Sequence, residues 1–322
     1  MVFLDIRIAL KTRKLILDGG LGTELFQRGI TGDTELANLN NASVVLEIHK
    51  SYVKAGADIL TANTFGAYSH KHDNYKELIN VAISNAKKAC EELEKMEKAE
   101  EAATPLCGGL GAAPPPSDGN CESNFLAKEE KVWVALDMGP TGLVLEPYGE
   151  VSSDDCYAIF EASAKAGKEA GADLIIIETM MDLNELELAV RAAKTTGLPI
   201  FASMSFTEKG RTMYGASVKD MVTSLESLGV DAIGLNCGFG PESYTTLVSE
   251  LLQATNLPTL LQPNAGIPIA GGSGLKYDVS PESFGRLMKK MADNGVQILG
   301  GCCGTEPAHI TIVAQLVKGV KK

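Results

Sequence analysis

The chain alternates between two hydrophobic rhythms. Stretches with apolar residues on a 3.6-residue repeat predict amphipathic helices, as at Val44, Val45, Ile48, Tyr52 and Val53, or at Phe284, Leu287, Met288 and Met291. Between them lie short unbroken runs rich in Ile, Leu and Val, which predict strands buried on both faces. One junction recurs: a helix-like stretch ends at a glycine, and the apolar run begins two or three residues later. It is found at Gly56 (KAGADILTAN), Gly171 (EAGADLIIIE), Gly197, Gly229 and Gly295, and Asn256 takes the glycine's place in TNLPTLLQPN. Gly and Asn can adopt the left-handed conformation that stops a helix. From Gly171 onward the junctions lie roughly 30 residues apart, the size of a βα unit.

The strands so predicted cover 14–19, 58–63, 132–138, 173–178, 199–206, 231–236, 258–263 and 297–301. Eight strand–helix alternations favour a (β/α)8 TIM barrel of the α/β class over an open doubly wound sheet. No GxGxxG follows the first strand, which counts against dinucleotide binding. The whole chain, 1–322, is read as one domain interrupted at about 99–131, where a PPP run and several glycines exclude continuous helix or strand. That insertion is expected to be solvated, with a lid or partner-docking loop as the functional alternative, and its Cys107 and Cys121 are read as incidental. The preceding KKACEELEKMEKAEE reads as a solvated helix face.

Charge narrows the partners. Lys and Arg number 29 against 41 Asp and Glu, a net charge of −12, which repels phosphate backbones and excludes bulk electrostatic binding of nucleic acid. No stretch has the ~18 apolar residues of a membrane span, and the N-terminus does not read as a signal peptide, so a cytoplasmic location is expected. Seven cysteines, an odd count, favour free thiols over a disulfide scaffold.

Reacting groups in barrels hang from the C-terminal ends of strands. At those ends the sequence places Asp18 to Glu24 (DGGLGTE), Asn63 to Ala67 (NTFGA), Gly139 to Gly142 (GPTG), Glu178-Thr179, Asn236-Cys237-Gly238, Gln262 to Gly266 (QPNAG) and Gly301 to Gly304 (GCCG). Cys237 and the Cys302–Cys303 pair come from the strands flanking the seventh and can converge over the mouth. Three thiolates with a fourth position open are a catalytic zinc pattern. With three anionic sulfurs the ion is electron-rich and a poor Lewis acid toward carbonyls. It deprotonates an added thiol yet leaves it nucleophilic, which suits alkyl transfer better than hydrolysis. A vicinal disulfide, or cysteines that merely pack, remain alternatives at this point. Thr305 is expected to cap the last helix, with Pro307 in its first turn. Backbone amides of the Gly19-Gly20-Leu21 turn can hold a carboxylate, and Asp18 and Glu178 can accept from an ammonium group. Equally, Asp18 could brace its loop and Glu178 a neighbouring strand, or the two could form a hydrolase-type carboxylate pair.

DGGLGTE, NTFGA, GPTG, GLNCG, QPNAG and GGCCGT, in this order from about residue 14 to 315, resemble the homocysteine S-methyltransferase family. The closest likeness is to the homocysteine-binding module of cobalamin-dependent methionine synthase. The resemblance implies one Zn2+ on Cys237, Cys302 and Cys303, completed by the sulfur of homocysteine. It also implies that Asp18 and Glu178 hold the amino group, that the Gly19 and Gly20 amides hold the carboxylate, and that Asn264 lies near the metal when substrate is absent. The methyl donor it implies is a methylated corrinoid (methylcobalamin) on a partner protein, with S-methylmethionine or betaine as alternatives. Gly66 stands where the betaine enzymes carry a tyrosine, which counts against betaine. From a different class, a redox or metal-storage barrel without turnover would use the same cysteines.

Overall fold

Five of the six junction residues adopt positive φ: Gly56, Gly171, Gly197, Gly229 and Gly295. Asn256 does not. The helix before it ends at Thr255 in extended conformation, with the Thr255 hydroxyl oxygen accepting from the Leu257 amide, so here a threonine side chain does what left-handed backbone does elsewhere. The computed structural model describes residues 5–103, 131–271 and 274–319. Most of the insertion, 104–130 with Cys107 and Cys121, lies outside the described residues. Its first residues continue the helix Tyr75–Ala103.

Each apolar run becomes a strand: β1 (Leu15–Ile16), β2 (Ile59–Thr61), β3 (Trp133–Met138), β4 (Leu174–Met180), β5 (Ile200–Met204), β6 (Ala232–Cys237) and β7 (Thr259–Pro263). A hairpin, β8 (Ile269–Gly271) and β9 (Gly274–Lys276), intervenes before the last barrel strand, β10 (Ile298–Leu299). All the barrel pairings are parallel, in the order β1-β10-β7-β6-β5-β4-β3-β2, and a Leu17–Ile59 bridge closes the ring. This is the single-domain TIM barrel predicted. β1 and β10 are shorter than expected: regular pairing ends at Ile16 and Leu299, and backbone bonds from Asp18 N to Ile59 O, Gly300 N to Leu261 O and Gly301 N to Asp18 O continue from there toward the mouth.

Alternation along the strands sorts the core into two layers. Leu15, Ile59, Ala135, Ile176, Phe201 and Ile298 point into the barrel, while their neighbours Ile16, Leu60, Leu136, Ile177, Ala202 and Leu299 pack on the helices. Ile6, Ala9 and Leu10 of an N-terminal helix (Ile6–Thr12) join the inner layer and plug the bottom, an element the sequence pattern did not announce.

The aspartate of the Gly-x-Asp junctions has its own task. Asp58, Asp173 and Asp231 accept the backbone amides of Ile16, Val134 and Ile200, each on the adjoining strand or at its edge. Arg13 with Lys318, Lys131 and Arg7, respectively, balance their charge. The repeated motif thus fastens neighbouring strands together at the end opposite the candidate site.

Candidate metal centre

Above the apolar plug the same alternation turns polar. The inward positions nearest the mouth are Thr61, Asp137, Glu178, Ser203, Asn236 and Gln262, all buried. Asn236 is the keystone. Its side-chain oxygen accepts from the Thr179 amide (2.9 Å) and the Ser203 hydroxyl (2.9 Å), and its NH2 donates to the Thr179 hydroxyl (2.7 Å). Thr179 needs that support, because φ of +61° is strained for a β-branched residue.

Cys237, at the end of β6, shares that φ of +61°. Its carbonyl is held by the buried Tyr244 hydroxyl at 2.6 Å, and Gly238 follows at φ +72°. This bend turns the Cys237 sulfur toward the other two cysteines. All three sulfurs lie within 4.8 Å of one another, and Cys302 and Cys303 are 4.0 Å apart, unbonded. Tetrahedral zinc with Zn–S near 2.3 Å spaces its sulfurs about 3.8 Å apart, and the trio, within 4.8 Å, lies near the spacing the ion requires. The vicinal-disulfide alternative is set aside. With the sulfurs sharing protons, Cys237 is the thiolate, its pKa drawn down to about 3 by hydrogen bonds from Cys302 and Cys303, while Cys303 rises to about 12.

The Cys302–Cys303 loop is held from both sides. The Gly301 amide donates to Asp18 O, Cys302 N to Pro263 O, Ala265 N to Cys303 O, and Cys303 N to Asn264 Oδ1 at 3.1 Å. Asn264 also hydrogen-bonds the Cys237 sulfur, so it bridges two of the three predicted ligands. Thr23 receives the Gly304 amide and donates to Gly20 O.

Two expectations are revised here. Thr305 does not cap the last helix. Glu306 does, in a reciprocal pair with His309, and the Thr305 hydroxyl is spent on Cys302 O (2.6 Å) and on receiving the Gly20 amide. That second bond, with another from Gly20 N to Thr305 O, removes the Gly20 amide from the donors open to a substrate carboxylate. Among the described residues, the amides of Gly19 and Leu21 are the uncommitted donors of this turn. Gly20 has a steric role instead: an added Cβ would sit 2.6 Å from the backbone oxygen of Cys302. Gly20→Ala is therefore expected to push the cysteine loop off its position and weaken metal retention about tenfold or more, read as metal per chain after dialysis against graded chelator.

Asp18 and Glu178 are both buried in this layer. Asp18 accepts from the Thr61 amide (2.8 Å) and hydroxyl (3.0 Å), yet burial, with Glu178 nearby, pushes its carboxyl up to about 8. Glu178 receives Gln262 Nε2 at 3.2 Å, and burial followed by the Cys237 charge pushes it to about 7. Gly66 presents no side chain, and its amide is bound by Glu35 at 2.6 Å.

The sequence matches the homocysteine S-methyltransferase family over residues 15–317. The chain belongs to that family. Relatives include methionine synthase of Mycobacterium tuberculosis, 30% identical over 99% of this chain, and that of Mycobacterium leprae, 29% identical over 97%. The chain spans about a quarter of the length of these curated relatives, 26% and 25%. Its fold matches the homocysteine methyltransferase MmuM of Escherichia coli. The metallated form gives a TM-score of 0.72 at 23% identity, covering 97% of this chain and 99% of that one. The apo form gives 0.70 at 22%. Asp137 and Tyr244, beside the candidate site, lie outside the residues that sequence reasoning singled out; only the inward register of Asp137 on its strand signals either.

Proposed function

We propose that the chain methylates the thiol of homocysteine to give methionine, using one zinc ion held by Cys237, Cys302 and Cys303, with a methylated corrinoid on a partner protein as donor. The observation that carries the reading is the convergence of three cysteine sulfurs within 4.8 Å beside buried carboxylates. Bound zinc would supply acidity, delivering the added thiol as thiolate at neutral pH, where a free thiol of pKa about 8.5 is only a few per cent ionised.

The rest is the protein's work. Asp18 and Glu178 accept from the α-ammonium group, and the Gly19 and Leu21 amides receive the carboxylate. These anchors direct the thiol-bearing arm toward the cysteines. Tyr244 and Asn236 hold the strained backbone on which Cys237 and Thr179 ride, so the sulfur geometry is set before substrate arrives. The apolar plug beneath excludes water from the other side. A new S–CH3 bond forms as the donor's bond to its methyl group breaks, and the thiol proton goes to solvent.

Support for a large donor comes from the rim. Val144 and Tyr148 after β3, Met213 and Tyr214 after β5, and Ile267 and Ile269 around β8 are exposed apolar side chains. A groove of about 380 Å³ lined by Leu145, Tyr148, Leu183 and Tyr214 runs between the segments after β3, β4 and β5. Among the described residues no helix is long and apolar enough to cross a membrane. The free thiols suit the reducing cytoplasm.

The test is a donor panel with zinc-loaded protein and homocysteine: methylcobalamin, S-methylmethionine, betaine and S-adenosylmethionine, assayed for methionine. Methylcobalamin is expected to give the fastest methionine formation. A faster rate with S-methylmethionine would replace the corrinoid by a small sulfonium donor, and no methionine from any donor would defeat the reading.

A further inference from the structure

A methyl donor at this mouth meets more than one sulfur. With zinc and homocysteine bound as proposed, four thiolates would share one ion, and three of them belong to the protein. All are nucleophiles of the same kind, so methyl can be lost to the protein's own cysteines. A hydrogen bond to a thiolate spreads its charge, and a less basic thiolate attacks carbon more slowly. Cys237 has such partners in the Gly238 amide and the Asn264 side chain. For Cys303 the partner is Tyr277, just past the β8–β9 hairpin, whose hydroxyl lies within hydrogen-bonding reach of the Cys303 sulfur.

The backbone around Tyr277 holds it there. Gly304 adopts φ +77°, and a Cβ on it would lie 2.1 Å from Tyr277 Cγ, so the ring rests against the glycine that follows Cys303. Two residues past the tyrosine, Val279 N donates to Ala265 O at 3.0 Å, and Ala265 N donates to Cys303 O at 3.0 Å. On the other side Val279 O pairs with His309 Nε2 at 3.0 Å, which ties the segment to the last helix (Pro307–Lys318). Tyrosine and sulfur thus ride on one frame, built from the loops after β7 and β10 and that helix. Tyr277 is half-buried, so water was open to its hydroxyl, yet the frame turns it to sulfur.

We infer that Tyr277 is a positioning residue that donates its hydroxyl hydrogen to the Cys303 sulfur, makes that sulfur a poorer nucleophile, and so reserves the methyl group for the substrate thiol. This rests on the zinc-thiolate reading above and extends it to the protection of the ligands from the reaction they support.

The experiment is alkylation of zinc-loaded protein by methyl iodide in the absence of homocysteine, with the modified cysteines located by peptide mass spectrometry. In each event a cysteine S–CH3 bond forms as the C–I bond breaks and iodide leaves. Tyr277→Phe keeps the ring on Gly304 and removes only the hydroxyl. At equal metal content it is expected to be methylated at Cys303 about tenfold faster than wild type, the worth of one hydrogen bond to a charged group, and at Cys237 within about twofold. In cobalt-substituted protein the sulfur-to-metal charge-transfer band should move to longer wavelength, because a less stabilised thiolate gives up its electrons more easily. Unchanged methylation at Cys303 would overturn the inference. So would an equal rise at all three cysteines or an unmoved band, since a merely loosened loop exposes every ligand alike. Tyr277→Met repeats the measurement if the phenylalanine variant does not fold. Wild type that takes up no zinc would overturn the zinc reading itself, a result distinct from failure of Tyr277 alone.

Discussion

Replacing any one of Cys237, Cys302 or Cys303 by alanine is expected to abolish zinc binding and methyl transfer together, while Cys90→Ala leaves both intact. Each of the three sulfurs is one apex of a triangle with sides no longer than 4.8 Å, and two protein thiolates do not close a zinc site of this kind. Metal content should fall from about one per chain to nearly none. Turnover should fall by on the order of a thousandfold. About thirtyfold of that reflects a thiol left mostly protonated at pH 7, and the remainder reflects loss of alignment at the mouth. Cys90 lies on the long helix Tyr75–Ala103, where its thiol donates to Ala86 O, and it serves as the control for losing a cysteine as such. Metal analysis by mass spectrometry and methionine formation, measured on the same preparations, decide the matter. Turnover retained in Cys237→Ala but lost in Glu178→Ala would instead support the carboxylate-pair alternative. Zinc whose ligand sphere is unchanged by saturating homocysteine, read by X-ray absorption, would support the storage barrel.

The sequence displayed the barrel well because its signals are local. A helix-stopping glycine followed by Ile, Leu and Val repeats often enough that topology follows from counting, and the convergence of the three cysteines follows from topology. What stayed hidden depends on contacts between segments far apart in the chain. Thr305 looks like a helix cap from its position before Pro307, but the β1 turn competes for its hydroxyl and wins, leaving the cap to Glu306 and His309. The Gly20 amide looks open until the same threonine is seen to take it. Asp137 is followed by GPTG, which drew attention to the loop and away from the strand end. Its side chain shares the buried polar layer with Glu178 and Asp18, neither of which is near it in sequence. The N-terminal plug is too short for a helical repeat to declare itself, and it is held through Arg7 to Asp231, 224 residues away.

Asp18→Asn is expected to make the substrate-free protein more stable at pH 8, to flatten the dependence of stability on pH, and to weaken homocysteine binding. The carboxyl ionises near 3.8 in an unfolded chain but only near 8 in the folded one, where burial disfavours its charge. Between those values the folded state holds one proton more than the unfolded state, so the free energy of unfolding falls as pH rises through that window. The loss at pH 8 relative to pH 5 is of the order of a few kcal/mol. Asparagine keeps both bonds to Thr61, its oxygen accepting from the amide and its NH2 donating to the hydroxyl, so the fold is preserved while the titration is removed. Urea unfolding of the two proteins at pH 5 and pH 8 measures the difference in slope. Homocysteine reverses the sign of the effect, because an ammonium group set against the carboxylate favours its ionised form. Wild-type affinity should therefore climb more steeply toward pH 8 than that of the variant, and at pH 8 the variant should bind about tenfold more weakly or worse. Ionisation of the substrate thiol is common to both proteins and cancels in the comparison. Parallel pH profiles for binding would show that Asp18 only braces the β1 turn against β2, and the ammonium would then rest on Glu178.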